Sequence, residues 1–166
     1  MAIKAVLSEA EYLRTSFPGV DQEFHDGELV ERTMPDLFHS EVQSNLSAFF
    51  RTRKGTHRTF SYSELRLKVR HDRVMIPDVA VFWPDKPTEA FPTNCPFIAI
   101  EILSPDDRMA EVRNKLQEYV DWGVAHVWLI DPHMKRLYLC KDGLHEVPSY
   151  ELPEIQLSVT PSDLFD

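Results

Sequence analysis

The stretch FIAIEILSPDDR, Phe97–Arg108, decides how this chain folds. Its first seven residues are an almost unbroken apolar run, the length and composition of a strand covered on both faces. One carboxylate stands inside it, Glu101. Burying an ionised carboxylate among Phe, Ile, Ala and Leu costs several kcal/mol unless a cation or hydrogen-bond donors compensate. The strand therefore carries a demand for a partner. Beyond it, Ser104 reads as a helix N-cap, with Pro105 in the first turn and Asp106 and Asp107 at the positive end of the helix dipole. The helix is expected to run to Gly123, a left-handed stop. Its residues Met109, Val112, Leu116, Tyr119 and Val120 form one apolar stripe to lay across a sheet. The next run, AHVWLIDP (Ala125–Pro132), is a strand, and the intervening helix predicts that it lies parallel to the first.

Working upstream, IPDVAVFW (Ile76–Trp83) is a second apolar run of the same kind. SELRLKVR (Ser63–Arg70) alternates strictly, Leu65, Leu67 and Val69 against Arg66, Lys68 and Arg70, and reads as a half-buried strand with a basic outer row. HSEVQSNLSAFFRTR (His39–Arg53) spaces Val42, Leu46, Phe49 and Phe50 for a helix ending near Gly55. Asp26-Gly27 and Asp142-Gly143 each mark a hairpin. Ser8 and Glu11 make a capping box for a short opening helix that stops at Pro18-Gly19. The order is helix, strand, strand, strand, helix, strand, with a small β-rich N-terminal extension. This is an α/β chain with a mixed sheet, expected to be one domain over residues 1–166.

The bulk properties agree with that reading. A chain of 166 residues that is 43% hydrophobic can bury one core without staples. Cys95 and Cys140, far apart and without paired spacing, fit a reducing cytoplasm. The start, MAIKAVLSEAEYL, lacks an apolar leader, and no run approaches the about 18 apolar residues of a membrane span, so a soluble cytoplasmic protein is expected. The net charge of -9 argues against a polyanionic partner, but its distribution does not. Between Arg51 and Arg73 eight Lys and Arg face only Glu64 and Asp72. Such a window is either a basic face on an acidic body or a solvated edge.

Side-chain alternation sets the candidate site. Asp78 shares a face with Ile76, Ala80 and Phe82, and Glu101 shares one with Phe97, Ala99 and Leu103. Each carboxylate has an alanine as its neighbour two residues away. Paired antiparallel in the simplest register, the two strands bring Asp78 and Glu101 together with space beside them. Two such carboxylates repel, so one holds a proton or a divalent cation lies between them, and Mg²⁺ is the natural hard ion.

The fragments IPDVAVFWPD, IAIEILSP, a helix carrying Lys115 and Tyr119, and GVAHVWLIDP, with DGELVE and HSEVQSNL upstream, resemble the Uma-two family of restriction-endonuclease-like proteins, in the PD-(D/E)XK nuclease superfamily. The resemblance covers nearly the whole chain. It implies a restriction-endonuclease-like core, with Asp78 and Glu101 binding Mg²⁺ or Mn²⁺ for phosphodiester hydrolysis in DNA. The superfamily pattern has a lysine two residues after the second carboxylate, where this chain has Leu103. The resemblance points instead to Lys115 on the following helix, which geometry permits because a helix returning over the strand brings its second and third turns alongside Glu101. The alternative is a surface lysine paired with Glu111, worth tenths of a kcal/mol. Glu28 and His39 match recurrent family positions, Glu28 as a further metal ligand if the hairpin folds over the site. Otherwise they are a hairpin-edge acid and a polar residue at a helix start.

With that chemistry, Arg66, Lys68 and Arg70 would grip the DNA backbone, and a homodimer would address two strands. The competing reading is a catalytically inactive nuclease-like module that binds or regulates. Zinc is not expected from the seven histidines, which lack paired spacing. Ser104 has no placed base to make it a nucleophile. A small-molecule phosphohydrolase would want a glycine-rich cradle that five glycines do not supply.

Overall fold

Alternating apolar runs close into one mixed sheet. In the computed structural model, which describes residues 7–166, this sheet has six strands: β3 (Phe60–Ser63), β6 (Val79–Phe82), β7 (Ile98–Ile102), β8 (His126–Asp131), β9 (Arg136–Cys140) and β10 (Leu144–Val147). Their spatial order is β10-β9-β8-β7-β6-β3. The apolar runs β6, β7 and β8 lie inside it, where both faces are covered. β6 and β7 are antiparallel, with Val79 opposite Ile100 and Ala80 opposite Ala99, while β7 and β8 are parallel. The helix between β7 and β8 imposes that parallel step, as expected from sequence.

On one face Val79, Val81, Ile98, Ile100 and Ile102 pack against Val42, Leu46, Phe49 and Phe50 of α2 (Leu37–Thr52). On the other, Ala99 and Leu129 meet Leu116 and Tyr119 of α4 (Met109–Trp122), which ends at Gly123 in the left-handed region, φ 105°. The carboxylates share this second face. A four-stranded antiparallel sheet of β1 (Glu23–His25), β2 (Glu28–Val30), β4 (Leu67–Arg70) and β5 (Arg73–Met75) covers the mouth of the site. The opening helix α1 (Glu9–Leu13) has the Ser8/Glu11 capping box and buries Tyr12 against Phe24. The one-turn α3 (Lys54–His57) follows α2. The chain closes with the hairpin β11 (Tyr150–Leu152) and β12 (Leu157–Val159), then α5 (Pro161–Phe165).

Both Asp-Gly turns form. Asp26 and Gly27 take φ of 52° and 90°, and Asp142 and Gly143 take 50° and 104°, conformations that Asn, Asp and Gly tolerate best. Residues 1–6, part of the stretch read as lacking an apolar leader, lie outside the described residues.

Four expectations need correction. The first core strand is Phe60–Ser63, not Ser63–Arg70. This short polar strand is held to α2 by hydroxyls: Ser61 Oγ donates to the Ser47 carbonyl and Thr59 Oγ1 to that of Phe50. Leu67–Arg70 keeps its alternation but pairs with β5 in the smaller sheet. The β-rich extension is thus not separate, because β1 and β2 share that sheet with strands inserted between β3 and β6. The second helix on the sheet begins at Met109, since Asp107 turns back to accept the Ser104 N–H at 2.7 Å and Ser104 caps only a turn. The opening helix ends at Leu13, before Pro18-Gly19.

Candidate active site

Asp78 immediately precedes β6 and Glu101 lies in β7. One step beyond the Val79–Ile100 pair, the antiparallel register sets the two carboxylates opposite each other. Both are buried. Asp78 Oδ2 accepts the Ile102 N–H at 2.7 Å, which ties the acid to the neighbouring strand. Its Oδ1 faces Arg32 Nη2 at 3.1 Å and His39 Nε2 at 3.3 Å. Gln43 donates to the Asp78 carbonyl and to Glu64, and Glu64 also pairs with Arg32.

The partner that Glu101 demands is Lys115. Its Nζ lies 2.9 Å from Glu101 Oε1, 2.7 Å from Glu23 Oε1, and donates to the Ile76 carbonyl at 2.9 Å. Tyr119, one turn further along α4, donates its hydroxyl to the same Glu101 oxygen at 2.8 Å. Lys115 and Tyr119 are four residues apart and so share a helix face. Lys115 is therefore not the surface lysine paired with Glu111; Glu111 pairs with Arg108.

The charges sort themselves by environment. Burial drives Glu101 upward, and the charges of Asp78 and Glu23 add to it against the opposing pull of Lys115, so its carboxyl is pushed up to about 8. Asp78 feels the same burial, but the His39 hydrogen bond and the charges of His39, Arg32 and Lys115 outweigh it and hold it below the usual range. Glu23 is likewise buried, yet Lys115, His25 and the Ile76 N–H draw it down to about 2. His39 loses by burial and gains more from Asp78, so its imidazole is raised. A low acid thus faces a high one across the strand pair, an arrangement frequent at functional sites.

These groups line a cavity of about 800 Å³ between α4, the hairpin and the start of α2. His39, the first buried residue of α2, lines it. Glu28 does not. It is exposed on β2 and outside the cavity lining, while the hairpin does fold over the site and presents Glu23 from its other strand. Sequence reasoning missed Glu23, Arg32 and Gln43, and used Tyr119 as a mark of the family without giving it a role in the site. Tyr119 was assigned to the helix's apolar stripe, and its spacing from Lys115 was the signal that could have marked it.

The basic row is also changed. Arg66 lies just before β4 and is clamped by Asp21, with Nε and Nη2 each 2.7 Å from its oxygens, while it donates to the Tyr12 and Thr15 carbonyls. Lys68 pairs with Glu9 at 2.7 Å and Arg70 with Asp26 at 2.9 Å. The three charges are neutralised by acids of the N-terminal segment and make no open row.

The donor set suits a hard divalent ion. Four carboxylates (Glu23, Glu64, Asp78, Glu101) gather around two permanent cations, Arg32 and Lys115, and Glu101 is raised first by its burial and further by the charges of Asp78 and Glu23. Two carboxylate oxygens with water completing the shell is how Mg²⁺ is commonly held. Among the described residues, three acid or His ligand atoms converge within 4.8 Å of one another only at Glu9, His71 and Asp72. There Lys68 already occupies Glu9.

Core order, strand register and facing acids define a restriction-endonuclease-like domain. A solved structure shares this fold: a crystal structure of "a putative nuclease belonging to DUF820" from Anabaena variabilis superposes with a TM-score of 0.79 at 24% identity, over 96% of this chain and 97% of that one. A sequence model of Uma2, described as "Putative restriction endonuclease", matches residues 9–165, and the chain belongs to that family. No curated protein sequence matches. No helix among the described residues is long and apolar enough to cross a membrane.

Proposed function

We propose that this chain is a metal-dependent endonuclease that hydrolyses phosphodiester bonds in DNA. The observation that carries the reading is the placement of Lys115 Nζ on Glu101, opposite Asp78, in a chain whose usual lysine position holds Leu103. Asp78 and Glu101 are the residues to hold Mg²⁺ or Mn²⁺, which when bound lowers the pKa of a coordinated water and offsets charge developing on the phosphate. The Ile102 N–H fixes Asp78, and Tyr119 with Lys115 fixes Glu101. Lys115, anchored by Glu23 and the Ile76 carbonyl, presents a permanent positive charge to an anionic phosphate. Arg32 offers a second cation at the same mouth.

The backbone grip proposed for Arg66, Lys68 and Arg70 moves in this reading to the unpaired part of the basic window, Arg51 and Lys54, where α2 meets α3. A homodimer and a cytoplasmic setting remain part of the proposal.

One observation favours the inactive module. Asp78 already receives Arg32, His39 and a backbone N–H, so its charge is compensated without metal. Thermal unfolding with and without Mg²⁺ or Mn²⁺ separates the two readings. Millimolar metal raises the midpoint of the wild type, by ligand linkage, and not that of Asp78→Asn or Glu101→Gln. An equal response in all three proteins refutes the site, and a metal response without cleavage of any DNA or RNA supports the module.

A further inference from the structure

The charge of this molecule is sorted by end. Nine carboxylates line the cavity against four Lys or Arg. All four of those cations are paired: Arg32 with Glu64 and Asp78, Arg73 with Glu118, Arg108 with Glu111, and Lys115 with Glu23 and Glu101. A polyanion is held chiefly by cations on its phosphates, and this mouth has none to spare. The chain from Val42 to Ser63 is the opposite case, with Arg51, Arg53, Lys54 and Arg58 and not one Asp or Glu. Of these four, only Arg58 has an ion-pair partner among the described residues, Asp85 at 2.8 Å, and side chains 64% and 80% exposed make that pair weak in water. Aromatic faces hold two of the others. The Arg53 guanidinium lies 3.6 Å from the centre of the Phe49 ring and donates to the Phe49 carbonyl at 2.8 Å, and Lys54 Nζ lies 5.7 Å from the centre of Phe60. These contacts position a cation without neutralising it.

The fold sets this cluster far from the acids. α2 brings His39 and Gln43 to the cavity and carries Arg51 twelve positions beyond His39, a distance of about 18 Å at about 1.5 Å per residue. The strands run in the same sense. Ser63 pairs with Val79, next to Asp78, and Phe60 pairs with Phe82, beyond which Arg58 reaches Asp85. Between the two ends the exposed positions of α2 are Ser40, Glu41, Ser44 and Ala48, with Glu41 the one acid, at the cavity end.

We infer that the Arg51–Arg58 cluster is the docking surface for a nucleic-acid backbone, set about 18 Å from the carboxylates, and that the site acts well only on a substrate long enough to span the two. At 3.4 Å per step the span is about five base pairs. The choice of nucleic acid as the polyanion rests on the nuclease reading above. The far grip supplies what the mouth lacks, cations for the phosphates beyond the one that reacts. An acidic body with one basic end also turns that end toward a polyanion as the two approach.

The test uses the full chain and the variant Arg51→Gln/Lys54→Gln/Arg58→Gln. Fluorescence anisotropy on a labelled duplex of about 24 base pairs, with Ca²⁺ replacing Mg²⁺, should show affinity about tenfold or more weaker in the variant and a salt slope reduced by roughly 0.9 per lost phosphate contact. The melting midpoint and its shift with metal should not change, and Arg51→Lys with Arg58→Lys, which keeps the charge, should keep the affinity. With Mg²⁺, kcat/KM of the wild type should climb with duplex length from about 6 base pairs and level off once the span is covered, while the variant loses that dependence. Unchanged affinity and slope in the Gln variant overturn the inference, and cleavage by that variant leaves the nuclease reading standing. A Gln variant that keeps its affinity but loses a salt-sensitive self-association in analytical centrifugation also overturns it, assigning the basic end to the acidic mouth of a second copy. Wild type that docks DNA through the cluster yet cuts neither DNA nor RNA upholds the docking surface and removes the nuclease reading. Wild type that binds no nucleic acid overturns the inference, and the metal response of Asp78→Asn then judges the site on its own.

Discussion

Replacing Lys115 by methionine keeps much of the stem and removes the charge. In this structure the half-buried ammonium bridges two buried acids: its Nζ touches Glu23, Glu101 and the Ile76 carbonyl, each within 2.9 Å. Removing one partner of a buried ion pair costs about 3–5 kcal/mol, because the other charge is left uncompensated. For a domain of this size about 1 kcal/mol moves the midpoint by roughly 2–4 °C, so Lys115→Met should melt some 6–20 °C lower at pH 7, an order-of-magnitude range. The loss should be pH-dependent. In the wild type Glu23 is depressed to about 2, so the stability it contributes is present above its unfolded pKa, near 4.3, and is lost as pH falls toward 2. Without Lys115 that depression goes, and acidification neutralises the stranded carboxylates. The gap between variant and wild type should therefore narrow from pH 7 to pH 4.5. Metal should narrow it as well, since a divalent ion replaces the missing charge. Cleavage, assayed below the variant's melting temperature, should fall by about 10² or more, the scale of losing one electrostatic stabiliser. A midpoint change under 2 °C that is independent of pH, with full activity, would refute the reasoning and return Lys115 to the surface.

The wild type without metal carries a second pH signature. Glu101 is raised to about 8, so its folded form holds a proton that the unfolded chain releases near 4.3, and stability should decline as pH rises between those values. Mg²⁺ should flatten that decline, and Glu101→Gln should abolish it; differential scanning fluorimetry across pH 5–9 reads both. The basic window supplies the other prediction. Arg66→Gln should lower the melting midpoint, because it strips the Asp21 clamp and the stack on Tyr12 (4.4 Å), while leaving the salt dependence of oligonucleotide binding unchanged. Arg51→Gln with Lys54→Gln should do the reverse, leaving the midpoint and reducing the salt slope of oligonucleotide binding by roughly 0.7–0.9 per lost phosphate contact; an unchanged slope would place the phosphate contacts elsewhere.

Local rules carried much of this protein. The Asp-Gly turns, the α2 stripe, the Gly123 stop and the apolar runs of β6, β7 and β8 each follow from residues close in sequence, and all formed. Because strand alternation has a period of two, the facing of Asp78 and Glu101 was legible as soon as their strands were taken as antiparallel neighbours. Lys115 was legible as a candidate from the family resemblance and the return of a helix over its strand. What the sequence could not show was who neutralises whom. Arg66, Lys68 and Arg70 read as an open basic row, and their partners Asp21, Glu9 and Asp26 lie more than forty residues away. Phe60–Ser63 hid as the first core strand, since its burial depends on hydroxyls reaching α2 carbonyls and not on an apolar alternation. Glu23 rather than Glu28 entered the site because the hairpin's docking decided which of its two strands faced Lys115. Periodicity is a property of neighbours along the chain, whereas charge compensation in a buried site is a property of neighbours in space, and only tertiary packing brings those together.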